Sequence, residues 1–570
     1  MRRGVSPLVL LLLVLAGAAV PALPAGAAAV PPSCRTVDPY LAAGDRAAKD
    51  EKVEGPAAFA AFRKAIGTAA RQAGVKTLAG QLAALEPGKP VAAESADLAA
   101  CLLRHWVRVR YGQRMVDDLR EMVGFRTFAE TGRENWQAPE FLRQRDWLRG
   151  RAEAMGFAFK SYDGRMEEIT FAGPEPILAL LTHGDVQAVE GQAWSSPPWE
   201  GRLLPDGKIV GRGTEDDKGP IVAILYSMAA VRDAGWPLSS TLRLLIANAE
   251  ESSWQEIPYY LERAPMPDMT FGVDATYPVT FAQKGWGLLS FRAPLEQGTE
   301  PPAARWRIER VTGGVAPSII PGEAEALVAP SGNGQGGTDA EAELRRLAEA
   351  WAAAHPPARL QVGREGDLLK VTSRGRSGHS AWPENAQNAL TALTTFLSTL
   401  QPRLDPWGAL ISFLGSTIGL ETDGSSMGIA HFDPAMGRLT ATLNVMGVND
   451  DGEPFARVNI RPPQGVTVEG VRERVAERVD AFERRTNYLL SGEVQIPNLP
   501  HVAPVEGKLV STLLGVWKEV TGQKGEPVAV SGGTQARLFK GGVDFGPALS
   551  MDVYRGHGPD EYLTVAELHR

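Results

Sequence analysis

The order of hydrophobic and polar positions divides the chain into stretches of different texture. From about residue 38 to 112, Phe59, Phe62 and Ile66, and then Leu98, Leu102 and Trp106, recur at helical spacing, which predicts a helical segment. The segment carries no chemistry and reads as a helical cap or docking surface. Arg114 to Met155 is again helical, with a loop near Gly132. Ile177–Leu181 is a continuous apolar run and reads as a buried central strand, with His183 at its C-terminal end. A helix is predicted from Ile221 to Val231, after a glycine-rich turn. Leu242–Ala247 reads as a second buried strand, followed at once by Glu250 and Glu251. Strand, helix and strand with polar residues just past the strand ends predict an α/β arrangement, in which sites form at the carboxyl ends of the strands.

Beyond about residue 285 the texture changes. Leu368–Thr372 and Leu439–Val445 read as strands, Asn388–Leu400 and Val471–Arg484 as helices, and the glycine-rich Ser331–Thr338 as a loop. This predicts a second, α+β domain inserted into the first. The last stretch returns to strand, helix and loop and brings His557. The expected organisation is a signal peptide over 1–29, a helical N-terminal extension over 30–112, a catalytic domain in two parts over 113–284 and 498–570, and the inserted domain over 285–497.

Composition agrees with this picture and narrows the partners. A chain of 570 residues implies two or more domains, and 44% hydrophobic with 22% charged residues is a globular balance. The net charge of −8 argues against nucleic-acid and anionic-membrane partners. Arg2 and Arg3 precede an apolar stretch from Leu8 to Val20 and the small residues Ala25–Ala29, the layout of a signal peptide, which implies export to the periplasm or the exterior. No later apolar run reaches membrane length, so no stable membrane insertion is expected after its removal. The two cysteines, Cys34 and Cys101, could form one disulfide in an exported protein or remain two free thiols.

The chemistry lies in five places. His183 and Asp185 are two apart at a strand end, where both point to one face, so Asp185 can accept the second imidazole N–H and leave the other nitrogen for a metal. Asp216 follows a glycine-rich turn just before a helix, and its two oxygens suit it to bridge two cations; the bland reading of Asp216 and Asp217 is helix N-terminal acids. Glu250 and Glu251 repel each other unless a cation neutralises them or one holds a proton. Asp274 lies between Val273 and Ala275, and His557 lies in Gly556–Glu561.

In this order and spacing the series resembles the co-catalytic zinc metallopeptidases of aminoacylase, carboxypeptidase G and the bacterial dipeptidases. Gly213–Pro220 and Ala249–Trp254 look most like the dipeptidase V branch. The resemblance covers roughly residues 113 to 570. It implies a catalytic domain with a central mixed sheet flanked by helices, and an inserted α+β lid. It implies two zinc ions, with manganese or cobalt as alternatives, held by His183, Asp216, Glu251, Asp274 and His557. Asp216 would bridge them, and a cis peptide would follow it. Glu250 would be the general base and Asp185 the partner of His183. In the lid, His379 of Ser377–Ala381 would contact the substrate carbonyl oxygen, and Arg461 of Asn459–Arg461 would grip the substrate carboxylate. Gly532 and Gly533 would lie near that carboxylate. Ser318 stands in Ser318–Pro321 where the family often has asparagine, a shorter side chain with one hydroxyl in place of an amide. The enlarged lid favours a monomer that supplies His379 itself. The function implied is an exported dipeptidase acting on small peptides; the alternative on the same scaffold is an N-acyl-amino-acid deacylase.

Overall fold

The computed structural model describes residues 34–130, 132–190, 192–296, 304–330, 337–549 and 553–569. The expected signal peptide and most of the glycine-rich loop lie outside the described residues. The chain forms two compact units. The first takes in the described residues up to Phe281, with Val502–Val528 and those from Thr534 onward; the second is Ala282–His501 with Ala529–Gly533. Among the described residues, no helix is long and apolar enough to cross a membrane.

In the first unit, helices α1 (Gly55–Gln72) and α2 (Ala96–Val123) precede a mixed sheet. Its strands β1 (Ala158–Tyr162), β2 (Met166–Phe171) and β3 (Ile177–His183) are followed by helix α3 (Lys218–Ala234), then β4 (Thr241–Ala247) and β5 (Met269–Gly272). The strand order is β1-β2-β4-β3-β5, continuing through Val543–Asp544. β3 runs parallel to both β4 and β5, and His183 stands opposite Ala247. The apolar runs of β3 and β4 are buried almost throughout, as strands covered on both faces require. Their carboxyl ends therefore open side by side, and the polar residues that follow each strand converge there.

The N-terminal helices are part of the same core. Phe59 of α1 lies 5.3 Å from Trp106 of α2 and 5.5 Å from Trp236, ring to ring. Trp106 Nε1 donates to Asp233 of α3 at 3.0 Å. Helix α2 runs unbroken through 112–113, where the sequence suggests a boundary, because its buried face continues through Met115, Leu119 and Met122. Gly112 lies within it because His569 packs where a Cβ would stand, 2.9 Å away. The stretch after it is two helices, since α2 ends at Val123 and the next spans Pro139–Ala154. Cys34 and Cys101 form a disulfide across 67 positions of chain. A loop of that length contributes about 4 kcal/mol on a chain-entropy estimate.

The second unit is built on an eight-stranded antiparallel sheet. Its strands are β6 (Trp286–Arg292), β7 (Trp306–Gly313), β8 (Glu323–Pro330), β9 (Arg359–Glu365), β10 (Leu368–Arg374), β11 (Thr440–Val448), β12 (Pro454–Arg461) and β13 (Ser491–Asn498). They lie in the order β9-β10-β8-β7-β11-β12-β6-β13. Helices Ala389–Thr399, Pro406–Thr417 and Val468–Thr486 contribute Phe396, Phe413 and Phe482 to a core shared with Phe291 of β6. This is the α+β insert that the change of texture predicts.

One buried charge has a consequence for stability. Burial pushes the Glu167 carboxyl on β2 up from 4.5 to about 7, against partial offsets from Ser161 and Arg145. An acid whose pKa is higher folded than unfolded is fully tolerated below the unfolded value, and stability is lost as pH rises through the window from 4.5 to about 7. Glu167→Gln is expected to stabilise the protein by about 3 kcal/mol above that window and by little below it. Chemical denaturation at both pH values measures this; equal stability of the two proteins above the window would show the charge to be compensated.

Candidate metal centre

Three parallel strand ends of the first unit, a turn before α3 and a loop late in the chain deliver the parts of the centre. His183 is the last residue of β3, and its side chain is 1% exposed. Its Nε2 lies 2.8 Å from Asp216 Oδ1 and 3.8 Å from Asp274 Oδ1. Asp274 follows β5. Asp216 ends the glycine-rich turn before α3, and the Asp216–Asp217 peptide is cis. The other Asp216 oxygen, Oδ2, lies 3.1 Å from His557 Nε2, which is in turn 2.9 Å from Glu251 Oε1. The ligand atoms thus form two clusters, His183–Asp216–Asp274 and Asp216–Glu251–His557, each with its atoms within 4.8 Å of one another. Asp216 belongs to both and turns one oxygen toward each.

Asp185 serves two neighbours. His183 Nδ1 lies 2.9 Å from the Asp185 backbone carbonyl and 3.6 Å from its carboxylate. The carboxylate also accepts the backbone N–H groups of Glu250, at 3.1 Å, and Glu251, at 3.0 Å. The backbone of the loop after β4 turns toward Asp185, so this buried acid orients the glutamate pair as well as the imidazole. Glu250 stands outside both clusters, beside Asp274.

The electrostatics of the centre ask for cations. Burial, and then the neighbouring Asp274 charge, push the Glu250 carboxyl well above its usual range. Burial raises Asp274 to about 6, against the pull of His183 and with the Asp216 and Glu251 charges adding to it. Burial disfavours a charged His183, yet Asp185, Asp216 and Asp274 hold its pKa well above the ordinary value. Five carboxylates packed around two imidazoles are stable in their ionised form only with added positive charge. Each cluster offers three nitrogen or oxygen ligands and leaves a position open, the donor set of a catalytic zinc site. The residues present therefore fit a pair of metal ions sharing Asp216.

Sequence reasoning missed several supports of this centre. Asp217 Oδ2 accepts the His183 N–H at 3.2 Å, and Gln187 Nε2 donates to Glu251 Oε2 at 2.9 Å. The Tyr554 hydroxyl donates to Asp216 Oδ2. Arg212 and Glu561 form a buried pair behind the Asp216 turn. The last two were in view, flanking the glycine-rich turn and closing the His557 stretch, but nothing in the sequence says that they meet.

The second unit gathers its own set of polar residues. Ile319 pairs with His379 in a two-residue ladder, and Ser380 N donates to the Ser318 carbonyl at 2.9 Å. Ala381 N–H donates to His379 Nδ1 at 3.1 Å, which places the proton of the neutral ring on Nε2. The buried Arg461 donates through Nε to Asn459 Oδ1 at 3.1 Å and through Nη2 to Ser380 Oγ at 3.3 Å and Ser318 Oγ at 3.5 Å. The Ser318 hydroxyl also accepts from Trp286 Nε1 at 3.1 Å. Ser318 is thus engaged with both Arg461 and Trp286. Gly532 closes the set, because a Cβ there would stand 3.5 Å from Trp382, the neighbour of His379. Gly532 and Gly533 belong to this unit although they come late in the chain.

Comparison with known proteins points to a family of peptidases. The sequence profile of peptidase family M20/M25/M40 matches residues 179–570. "Putative dipeptidase YtjP" of Bacillus subtilis strain 168 is 30% identical over 419 residues, 73% of this chain and 85% of that protein. The Beta-Ala-Xaa dipeptidase of Lactobacillus delbrueckii subsp. lactis is 27% identical over 414 residues, 72% of this chain and 82% of that one. Among solved structures, human carnosine dipeptidase 1 overlays with a TM-score of 0.49 at 14% identity, covering 82% of this chain and 95% of that chain.

Proposed function

The chain belongs to peptidase family M20/M25/M40 and is a peptide-bond hydrolase, and from that premise we propose that it is an exported, two-metal dipeptidase. The observation that carries the reading is the pair of three-ligand clusters sharing Asp216, with Glu250 beside them and outside both. Relatives described as dipeptidases, spanned over most of their length, support the substrate class. The Cys34–Cys101 disulfide supports export, since such bonds persist in oxidising compartments.

His183, Asp216 and Asp274 would hold one ion, and Asp216, Glu251 and His557 the other; zinc suits these nitrogen and oxygen donors. When bound, the ions supply Lewis acidity that polarises the scissile carbonyl and lowers the pKa of the attacking water. Glu250 accepts the proton that this water gives up and delivers it to the departing amine. Asp185 holds the Glu250 backbone in place through its N–H. In the second unit, Arg461 binds the substrate's carboxylate with its planar fork. His379, with its proton on Nε2, donates to the carbonyl oxygen as negative charge builds there. We further infer that one chain supplies all of these residues and acts as a monomer.

The test is hydrolysis of a panel of free dipeptides by zinc-loaded protein, each compared with its N-acetylated counterpart. The expected result is cleavage of the free dipeptides and a rate at least about tenfold lower on the blocked forms, the cost of leaving amine-recognising groups unpaired. Preference for the N-acetylated substrates would identify an N-acyl-amino-acid deacylase instead.

A further inference from the structure

The residues of the second cluster are tied together from behind by a buried ion pair to which no ligand or substrate role falls. Arg212 and Glu561, with side chains 1% and 0% exposed, meet at 2.7 Å. Glu561 Oε1 accepts the backbone N–H of Glu215 at 2.9 Å and of Asp216 at 3.1 Å, while Oε2 accepts from Arg212 Nη1. The other arm of the guanidinium, Nη2, donates to the His557 carbonyl at 3.2 Å and to Gln192 Oε1 at 2.8 Å. Gln192 Nε2 donates to the same His557 carbonyl at 2.8 Å. The Glu561 backbone carbonyl accepts from Gly211 N at 2.9 Å. Two residues 349 positions apart thus link the turn that bears Asp216 to the loop that bears His557.

The link also holds that loop. His557 and Asp560 have φ of 64° and 57°, left-handed conformations that are uncommon outside glycine though more accessible to His and Asp than to most residues. They are held by the bonds to the His557 carbonyl and by those from Ser195 N and Oγ to Asp560 Oδ1, at 2.8 and 2.9 Å. Trp194 lies over the Arg212 guanidinium, 5.2 Å from its centre, and covers the network from one side. His183 and Asp274 are placed independently of it. They stand at the ends of β3 and β5, and His183 is fixed by Asp185 and Asp217.

We infer that Arg212 and Glu561 are positioning residues that set the spacing of Asp216 and His557: Glu561 acts on both clusters through the shared Asp216, while the Arg212 arm to His557 governs the affinity of the second cluster and leaves the first largely unaffected. The inference rests on the two-metal reading of the centre. Arg212→Lys separates the two clusters cleanly, because it keeps a charge against Glu561, and with it the hold on the Asp216 turn, but loses the second arm that reaches His557. Gln192→Ala removes the other donor to the His557 carbonyl at a half-exposed position and leaves the buried pair intact.

The experiment is calorimetric titration of the metal-free full chain with Zn2+, for the wild type and both variants. The wild type should show two binding events. Arg212→Lys should weaken one of them by about 10- to 100-fold, the size of effect that outer partners of metal ligands exert, and leave the other within about threefold. Gln192→Ala should move the same event in the same direction by a smaller factor. Asp118→Ala serves as the control for a merely structural role. It removes the buried acceptor of a 2.7 Å bond from the Tyr226 hydroxyl in the same unit and should lower the melting temperature without moving either affinity. Unchanged affinities in both variants, or parallel loss of both events, would overturn the inference while the two-metal reading stands. A wild type that binds one ion or none would remove that reading, and the inference with it.

Discussion

Glu250→Gln is expected to lower dipeptide turnover by about 10³-fold while the protein keeps both metal ions. Glu250 lies outside both ligand clusters, so the amide changes no donor that either ion needs. Its backbone N–H still reaches Asp185, so the loop after β4 keeps its course. What disappears is a carboxylate able to take a proton from water and pass it to an amine, and glutamine can do neither at neutral pH. Single-turnover rates with bound metal counted by elemental analysis separate the possibilities. Turnover retained within a few-fold would take the role of base away from Glu250, and loss of metal would make it a ligand.

Asp216→Asn is expected to have an effect of the same order by a different route. Asp216 turns Oδ1 to His183 at 2.8 Å and Oδ2 to His557 at 3.1 Å, so both oxygens are needed if both clusters are filled. Asparagine has one oxygen, and its NH2 group cannot ligate a cation. The variant can therefore serve one cluster only. It should bind at most one ion tightly and lose hydrolysis by more than the roughly 10- to 100-fold typical of outer partners of a metal site. Two ions bound with near wild-type affinity would mean that Asp216 is not shared.

The parts of this centre that were legible in the sequence are those that follow from short-range pattern. The continuous apolar runs Ile177–Leu181 and Leu242–Ala247 announce buried strands, and in a parallel arrangement the residues just beyond them, His183 and Glu250–Glu251, must open on the same edge. The second unit was legible as a change of texture beyond about residue 285, with strands and helices of its own. Interactions across long sequence separations were not legible. Nothing local tells that Arg212 will meet Glu561, that Tyr554 will donate to Asp216, or that Gly532 will stand beside Trp382. The N-terminal helices were recognised as helices, but their partners were not. The stripe of Phe59 and Trp106 looks the same whether it faces a docking partner or, as it does, α3 and Trp236 of the same core. Asp185 was read through strand periodicity as the partner of an imidazole. Its carboxylate stands 3.6 Å from that imidazole and also accepts the Glu250 and Glu251 amides, a second role that strand periodicity does not show.

The central claim is that the clusters around Asp216 hold two metal ions that together make the chain a dipeptidase. It is tested most directly by titrating metal-free protein with Zn2+ while following hydrolysis of a free dipeptide. The predicted result is an activity near zero without metal that climbs to a plateau at two equivalents per chain. Hydrolysis that is independent of added metal, or a plateau already complete at one equivalent, would contradict it.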